Sequence, residues 1–105
     1  MFPNGQELAN IYAWPPQKWL RFNLVVNAQG NLVGSDGTSN SLSTPHDREV
    51  LRSIRADAEL VIVGANSVRA EGWHLPPRGL MGVVSRSQIL PDNCPDDSRV
   101  VIGAL

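Results

Sequence analysis

The stretch Leu60 to Gly72, LVIVGANSVRAEG, decides how the rest of the chain is read. Leu60-Val61-Ile62-Val63 is a short, continuous apolar run rich in β-branched side chains and bounded at once by Gly64. A run of this kind, without polar alternation, is the pattern of a buried strand in a parallel sheet. Ala65-Asn66-Ser67 then opens a short helix over Ser67 to Ala70. A strand that passes through a glycine straight into a helix puts free backbone N–H groups and the positive helix end at the carboxyl edge of the sheet. That edge is where open α/β sheets bind their ligands. Gly64 lets a phosphate approach the backbone and Ser67 adds a hydroxyl donor. A glycine at such a junction serves equally well as a plain turn.

Working outward, the segment before this strand has a well-marked helix start. Thr44 is placed as N-cap, Pro45 fits the first helical position, and Asp47 stands where a capping box takes its acceptor. Val50, Leu51, Ile54 and Ala58 line one face of the helix, with Arg48, Glu49, Arg52 and Ser53 mostly on the other. Residues 28–43 are dominated by Gly, Ser, Asn and Asp and read as a long loop, with a turn at Asp36-Gly37. Trp19 to Asn27, WLRFNLVVN, predicts a buried strand. The segment 1–18 has a weak helical pattern (Leu8, Ile11, Tyr12) that Pro15-Pro16 ends. Downstream, LMGVVS at 80–85 and RVVIGA at 99–104 predict two further strands. The order is β, loop, α, β, α, β, β, which argues an α/β fold with a mainly parallel sheet.

The chain has 105 residues, of which 42% are hydrophobic and 18% charged, and a formal net charge of −1. That suits one small globular domain. The charge balance argues against nucleic acid as a partner. No apolar run approaches the roughly 20 residues of a membrane span, and the start MFPNGQELAN lacks the pattern of a secretory signal. Cys94 is the single cysteine, so a reducing cytoplasm is the expected location. Lys18 is the single lysine against eight arginines. Arginine forks suit phosphate and carboxylate, although base composition of the genome explains such a bias equally well.

Other candidate chemistry is thinner. Ser85-Arg86-Ser87 ends a strand in hydroxyl, guanidinium and hydroxyl, a group able to hold a phosphate such as the 2′-phosphate of NADP; an exposed polar turn reads the same. Ser39, Ser41 and Ser43 lie in the long loop before the helix carrying Arg48, Arg52 and Arg55. Glu71 is the carboxylate nearest the expected phosphate site, suited to proton donation or to plain solvation. His46 and His74 lack metal-ligand spacing, no serine sits in a G-x-S-x-G setting, and Asp92, Asp96 and Asp97 around Pro91 and Pro95 read as a solvated loop.

These segments, taken in order, resemble the reductase family that includes the RibD C-terminal domain of riboflavin biosynthesis, with its dihydrofolate reductase-like fold. The likeness runs through Tyr12-Ala13-Trp14-Pro15, Trp19 to Gly30, Gly37-Thr38-Ser39, Pro45-His46-Asp47-Arg48, Arg55-Ala56-Asp57-Ala58, Val63 to Gly72, and Val83 to Ser87. The turn Asn27-Ala28-Gln29-Gly30 stands where the family usually has Ser-Leu-Asp-Gly, Ser41 replaces a common Trp, and Gly72-Trp73 replaces Asp-Pro.

The resemblance implies NADPH-dependent reduction of a pyrimidine or pteridine substrate, of the 5-amino-6-(5-phosphoribosylamino)uracil reductase kind, with dihydrofolate reductase activity or a non-catalytic nucleotide-binding or assembly module as the alternatives. It implies cofactor contacts at Val25, Val26, Ser41, Gly64, Ala65, Asn66, Ser67, Ser85 and Arg86, substrate contacts at Ser39 and Arg55, and Glu71 as the catalytic carboxylate. It divides the chain into an extension over 1–18 and, over 19–105, the N-terminal half of a reductase domain truncated after its fourth strand, since family members are roughly twice as long. The partners it implies are a small-molecule substrate and either a second copy, as a homodimer, or a separate C-terminal half.

Overall fold

The computed structural model describes residues 1–24, 27–32, 34, 35, 37 and 42–104. The chain packs as two compact units, Met1–Asp57 and Ala58–Leu105.

The first unit is built on two helices, α1 (Gly5–Ile11) and α2 (Pro45–Ala56). The amphipathic trace at Leu8 and Ile11 becomes α1, started by a capping box that the composition of this segment had hidden. Asn4 Oδ1 accepts from the Glu7 N–H at 2.9 Å, while the Glu7 carboxylate accepts from the Asn4 N–H at 3.4 Å. Leu8 is the buried residue of this helix. For α2 the expected start is observed: the Asp47 N–H donates to Thr44 Oγ1 at 3.1 Å with Pro45 in the first turn. The Asp47 carboxylate completes the cap differently from a capping box, accepting from Ser43 Oγ at 2.7 Å. At the other end of α2, the Trp14 indole Nε1–H donates to the Ile54 carbonyl at 3.0 Å. Ile54 is one of the terminal carbonyls that a helix leaves without an internal partner.

The strand expected over 19–27 is not observed in its described part. Residues 19–24 and 27 have no strand assignment, and Val25 and Val26 lie outside the described residues. Leu20, Phe22 and Leu24 are exposed rather than buried. An apolar, β-branched sequence has the propensity for a strand, but a strand exists only where a neighbour supplies its hydrogen bonds. Among the described residues no backbone hydrogen bond joins 19–24 to another segment.

The second unit is a three-stranded parallel sheet, β1 (Leu60–Gly64), β2 (Leu80–Val84) and β3 (Val100–Gly103), in the order β1-β2-β3. Helix α3 (Ala65–Glu71) follows β1 without a linker and is longer than expected at both ends. The crossover from β2 to β3, residues 85–99, is irregular. Register pairs Leu60 with Leu80, Ile62 with Gly82 and Gly64 with Val84, then Gly82 with Val101 and Val84 with Gly103. Side chains alternate across a strand, so Val63, Met81, Val83 and Val100 share one face. There they pack with Ala65 and Val68 of α3, and Val83 is wholly buried at 0% exposure. Leu60, Ile62 and Val101 line the other face around Gly82 and remain exposed.

Two features fix the ends of the strands. Gly79 takes φ +70°, and a Cβ there would collide with the Ala58 and Glu59 carbonyls, so the turn into β2 requires glycine. Ahead of β3, Arg99 is clamped on Asp97 (Nη2 to Oδ2, 3.1 Å) and donates from Nη1 to the Pro76 carbonyl at 2.9 Å. The fold is therefore α/β with a parallel sheet, as expected, built on three strands among the described residues rather than four. None of its described helices is long and apolar enough to cross a membrane.

Candidate functional site

The parallel register brings the strand ends into one row. Gly64 lies opposite Val84 and Val84 opposite Gly103, and the Ser85 N–H donates to the Gly103 carbonyl at 2.9 Å. Each strand therefore stops at the same level, and the residues that follow form a common carboxyl edge. Two of the three polar segments singled out in the sequence, Gly64-Ala65-Asn66-Ser67 and Ser85-Arg86-Ser87, become neighbours there.

Gly64 is the N-cap of α3 in extended backbone (φ −79°, ψ 148°), with no side-chain capping bond. This conformation is open to any residue, so its lack of a side chain matters for space: a Cβ at Gly64 would meet nothing within 4 Å. Ala65 is buried against the sheet, whereas Asn66 and Ser67 are exposed. Asn66 Oδ1 already accepts from Arg69 Nη1 at 2.8 Å, an i, i+3 pair on the helix surface. Ser67 leaves its hydroxyl on the solvent side.

At the end of β2 the hydroxyls are differently used. Ser85 is 5% exposed. Its Oγ lies 3.1 Å from Ser87 Oγ and donates to the Ile89 carbonyl at 3.3 Å. These bonds close the turn in which Gln88 adopts φ 58°. Arg86 is exposed at the tip of the same turn. Of that trio, Arg86 alone takes no part in the side-chain hydrogen bonds that close the turn.

Glu71 is the last residue of α3. It stands one turn beyond Ser67, on the same side of the helix, and about 9 Å of helix rise from Ala65. Its backbone carbonyl lies 3.0 Å from His74 Nε2. Arg55 belongs to the last turn of α2 in the first unit, where partial burial lowers its guanidinium pKa. The expected contacts Val25, Val26, Ser39 and Ser41 lie outside the described residues.

The remaining titratable groups fall where a solvated surface would put them. His46 stacks on Phe2 with ring centroids 4.0 Å apart. Among the described residues no cluster of His, Cys, Asp and Glu is placed to hold a metal ion. Asp97 departs from the solvated-loop reading: side-chain and backbone hydrogen bonds from Arg99 hold its carboxyl below the ordinary value.

A second concavity went unnoticed in the sequence. A groove of about 680 Å³ runs between the C-terminal half of α3 and residues 89–93, lined by Val68, Trp73, Leu90 and Asp92 among others. The Trp73 indole Nε1–H donates to the Asp92 carbonyl at 2.9 Å across it. None of the expected site residues lines this groove. The signal available in the sequence was only a tryptophan beside a glycine and a Pro-Asp-Asn run, which is compatible with any surface loop.

No family profile, no curated protein and no solved structure matches the chain.

Proposed function

We propose that this chain is the cofactor-facing part of an NADPH-dependent reductase acting on a pyrimidine or pteridine ring, similar to the RibD C-terminal, dihydrofolate reductase-like enzymes. One observation carries the reading. The register that sets Gly64 opposite Val84 makes neighbours of the two segments that the resemblance assigns to the cofactor, Gly64–Ser67 and Ser85-Arg86.

The residues at this edge fit a dinucleotide in part. Open space at Gly64, free N–H groups in the first turn of α3 and the exposed Ser67 hydroxyl suit a pyrophosphate. Arg86 suits a further phosphate through its guanidinium fork. Ser85 does not fit as a direct contact, because its hydroxyl is held inside its own turn. The cofactor, when bound, supplies the hydride. The chain's part is to hold the phosphates at Ser67 and Arg86 and to present the Glu71 carboxylate to the substrate. A small-molecule substrate, and either a second copy or a complementary half of the reductase, are the partners that go with this reading.

A second reading has its own support. Glu71 closes α3 at the end remote from the sheet edge, and Ser85 is engaged internally; both favour a nucleotide-binding module without catalysis. Titration of the full chain with NADPH, followed by amide chemical shifts at residues 64–67 and 85–86, tests what the two readings share. Shifts confined to these residues support them, and unchanged shifts at millimolar NADPH end both. Turnover assays with dihydrofolate and with 5-amino-6-(5-phosphoribosylamino)uracil then separate the two reductase activities from the silent module.

A further inference from the structure

We propose that residues 88–93 are a strap, hinged at Gln88 and Asn93 and latched by Trp73, that swings away from α3 while the sheet stays folded.

The hinges are marked by backbone geometry. Gln88 at φ 58° and Asn93 at φ 62° are the two non-glycine residues with positive φ among the described residues. A β-carbon disfavours this region, and residues held there collect where a segment switches between arrangements. Here they stand at the two ends of one short segment. Asparagine tolerates the left-handed region better than glutamine does, so the hinge at Gln88 carries more of the strain. Pro91, between the hinges, has a fixed φ and no N–H to donate, and it stiffens the middle of the strap.

Little ties this segment down. Among the described residues, no backbone hydrogen bond joins residues 89–93 to another backbone group. The bonds at the Gln88 end are long. The Gln88 N–H donates to the Ser85 carbonyl at 3.4 Å, the Ile89 N–H to Ser87 Oγ at 3.4 Å, and Ser85 Oγ to the Ile89 carbonyl at 3.3 Å. All three close the preceding turn and leave the strap free of α3. The bond on the helix side is the short one, from Trp73 Nε1–H to the Asp92 carbonyl at 2.9 Å. Leu90 and the buried Pro91 supply the apolar grip, while Ile89 is 65% exposed. The groove of about 680 Å³ between the strap and α3 gives it room to move. A segment with few buried contacts and one latch opens at a lower free energy than the sheet beside it. Release of the Asp92 carbonyl frees the Trp73 ring and uncovers Val68, which line the groove. All of these residues belong to the second unit, and the strap is independent of the nucleotide reading above.

The test follows solvent exchange of the Trp73 indole proton in the full chain by NMR. The backbone N–H groups of β2 are the reference, each rate being corrected for its intrinsic value. The indole proton is expected to be less protected than β2 by roughly a hundredfold or more, as a local opening requires. Gln88→Gly removes the strain from the closed form and is expected to slow indole exchange severalfold. Asn93→Ala puts a less tolerant residue at φ 62° and is expected to speed it severalfold. Neither variant should alter protection in β2. Methyl relaxation dispersion at Ile89 and Leu90 should follow the same order, fast opening being a microsecond-to-millisecond event. Should Asn93→Ala fail to fold, Gln88→Gly carries the test with the opposite sign. Equal protection of the indole proton and β2 overturns the proposal, because the strap is then released only by global unfolding. Indole exchange that is unchanged or faster in Gln88→Gly overturns it as well.

Discussion

Ser67 and Ser85 are the same residue type in two settings, and the difference determines what each can do. Ser67 stands exposed on the first turn of α3, while Ser85 is buried with its hydroxyl donated to Ile89. Ser67→Ala and Arg86→Ala are therefore expected to weaken NADPH binding, by about 1–3 kcal/mol each where a charged phosphate partner is lost. Arg86→Ala should also narrow the preference over NADH. Calorimetric titration with both nucleotides checks this, and an unaltered NADPH-to-NADH ratio removes Arg86 from the site. Ser85→Ala should instead leave nucleotide affinity alone and lower the unfolding free energy by about 1 kcal/mol, the worth of a typical internal hydrogen bond. Denaturant melts of that variant decide between a ligand contact and a turn closure.

Asp97 gives a pH dependence with a definite sign. Hydrogen bonds from Arg99 hold its carboxyl below the ordinary value of 3.8 in the folded state. A depressed carboxylate stabilises the fold above its unfolded pKa, and that contribution fades as pH falls through the folded value. The stability difference between the parent chain and Asp97→Asn is expected to be constant near neutral pH and to shrink below about pH 3.8. Chemical denaturation at a series of acidic pH values measures it; a difference that grows on acidification contradicts the assignment.

At the scale of elements, α2 and the segment 19–24 show where local sequence suffices and where it does not. Thr44, Pro45 and Asp47 act within one turn of each other, so the helix start was legible, and the Thr44–Asp47 bond confirms it. Thr44→Ala is expected to cost about 1 kcal/mol, read as a lower midpoint of the far-ultraviolet helical signal. The start of α1 was just as local, in Asn4 and Glu7, but its weak apolar pattern drew no attention to them. Residues 19–24 carry no strand assignment although their sequence predicts one, because pairing is a property of two segments and propensity speaks for only one. The bond from Trp14 to Ile54 spans 40 residues of sequence. No local pattern announces a contact of that range.

For the whole molecule, the α/β reading with a parallel sheet was correct because apolar runs bounded by glycine and interrupted by a helix have few other uses. Met81→Ala, in the cluster beneath α3, is expected to cost about 2–5 kcal/mol, while Ile62→Ala on the exposed face should cost far less. A thermal or denaturant comparison of the two variants checks which face of the sheet is the core. Among the described residues three of the four expected strands are present, at nearly the expected positions. The candidate site was half legible: both polar segments were visible as separate turns, and their adjacency was not.

What the sequence by itself determined was the set of local commitments. These are the helix start at Thr44-Pro45, the three apolar strands, the abrupt strand-to-helix passage at Gly64, and a balanced charge. Backbone propensity, capping and hydrophobic run length act within a few residues, so they can be read from a string. Tertiary structure alone decided that Gly64 and Val84 share a row, that Ser85 is spent inside its own turn, that Trp73 closes on the Asp92 carbonyl, and that Trp19 to Leu24 has no strand partner among the described residues. Each of these depends on register or on burial against a distant segment. Those quantities exist only once the chain has folded back on itself.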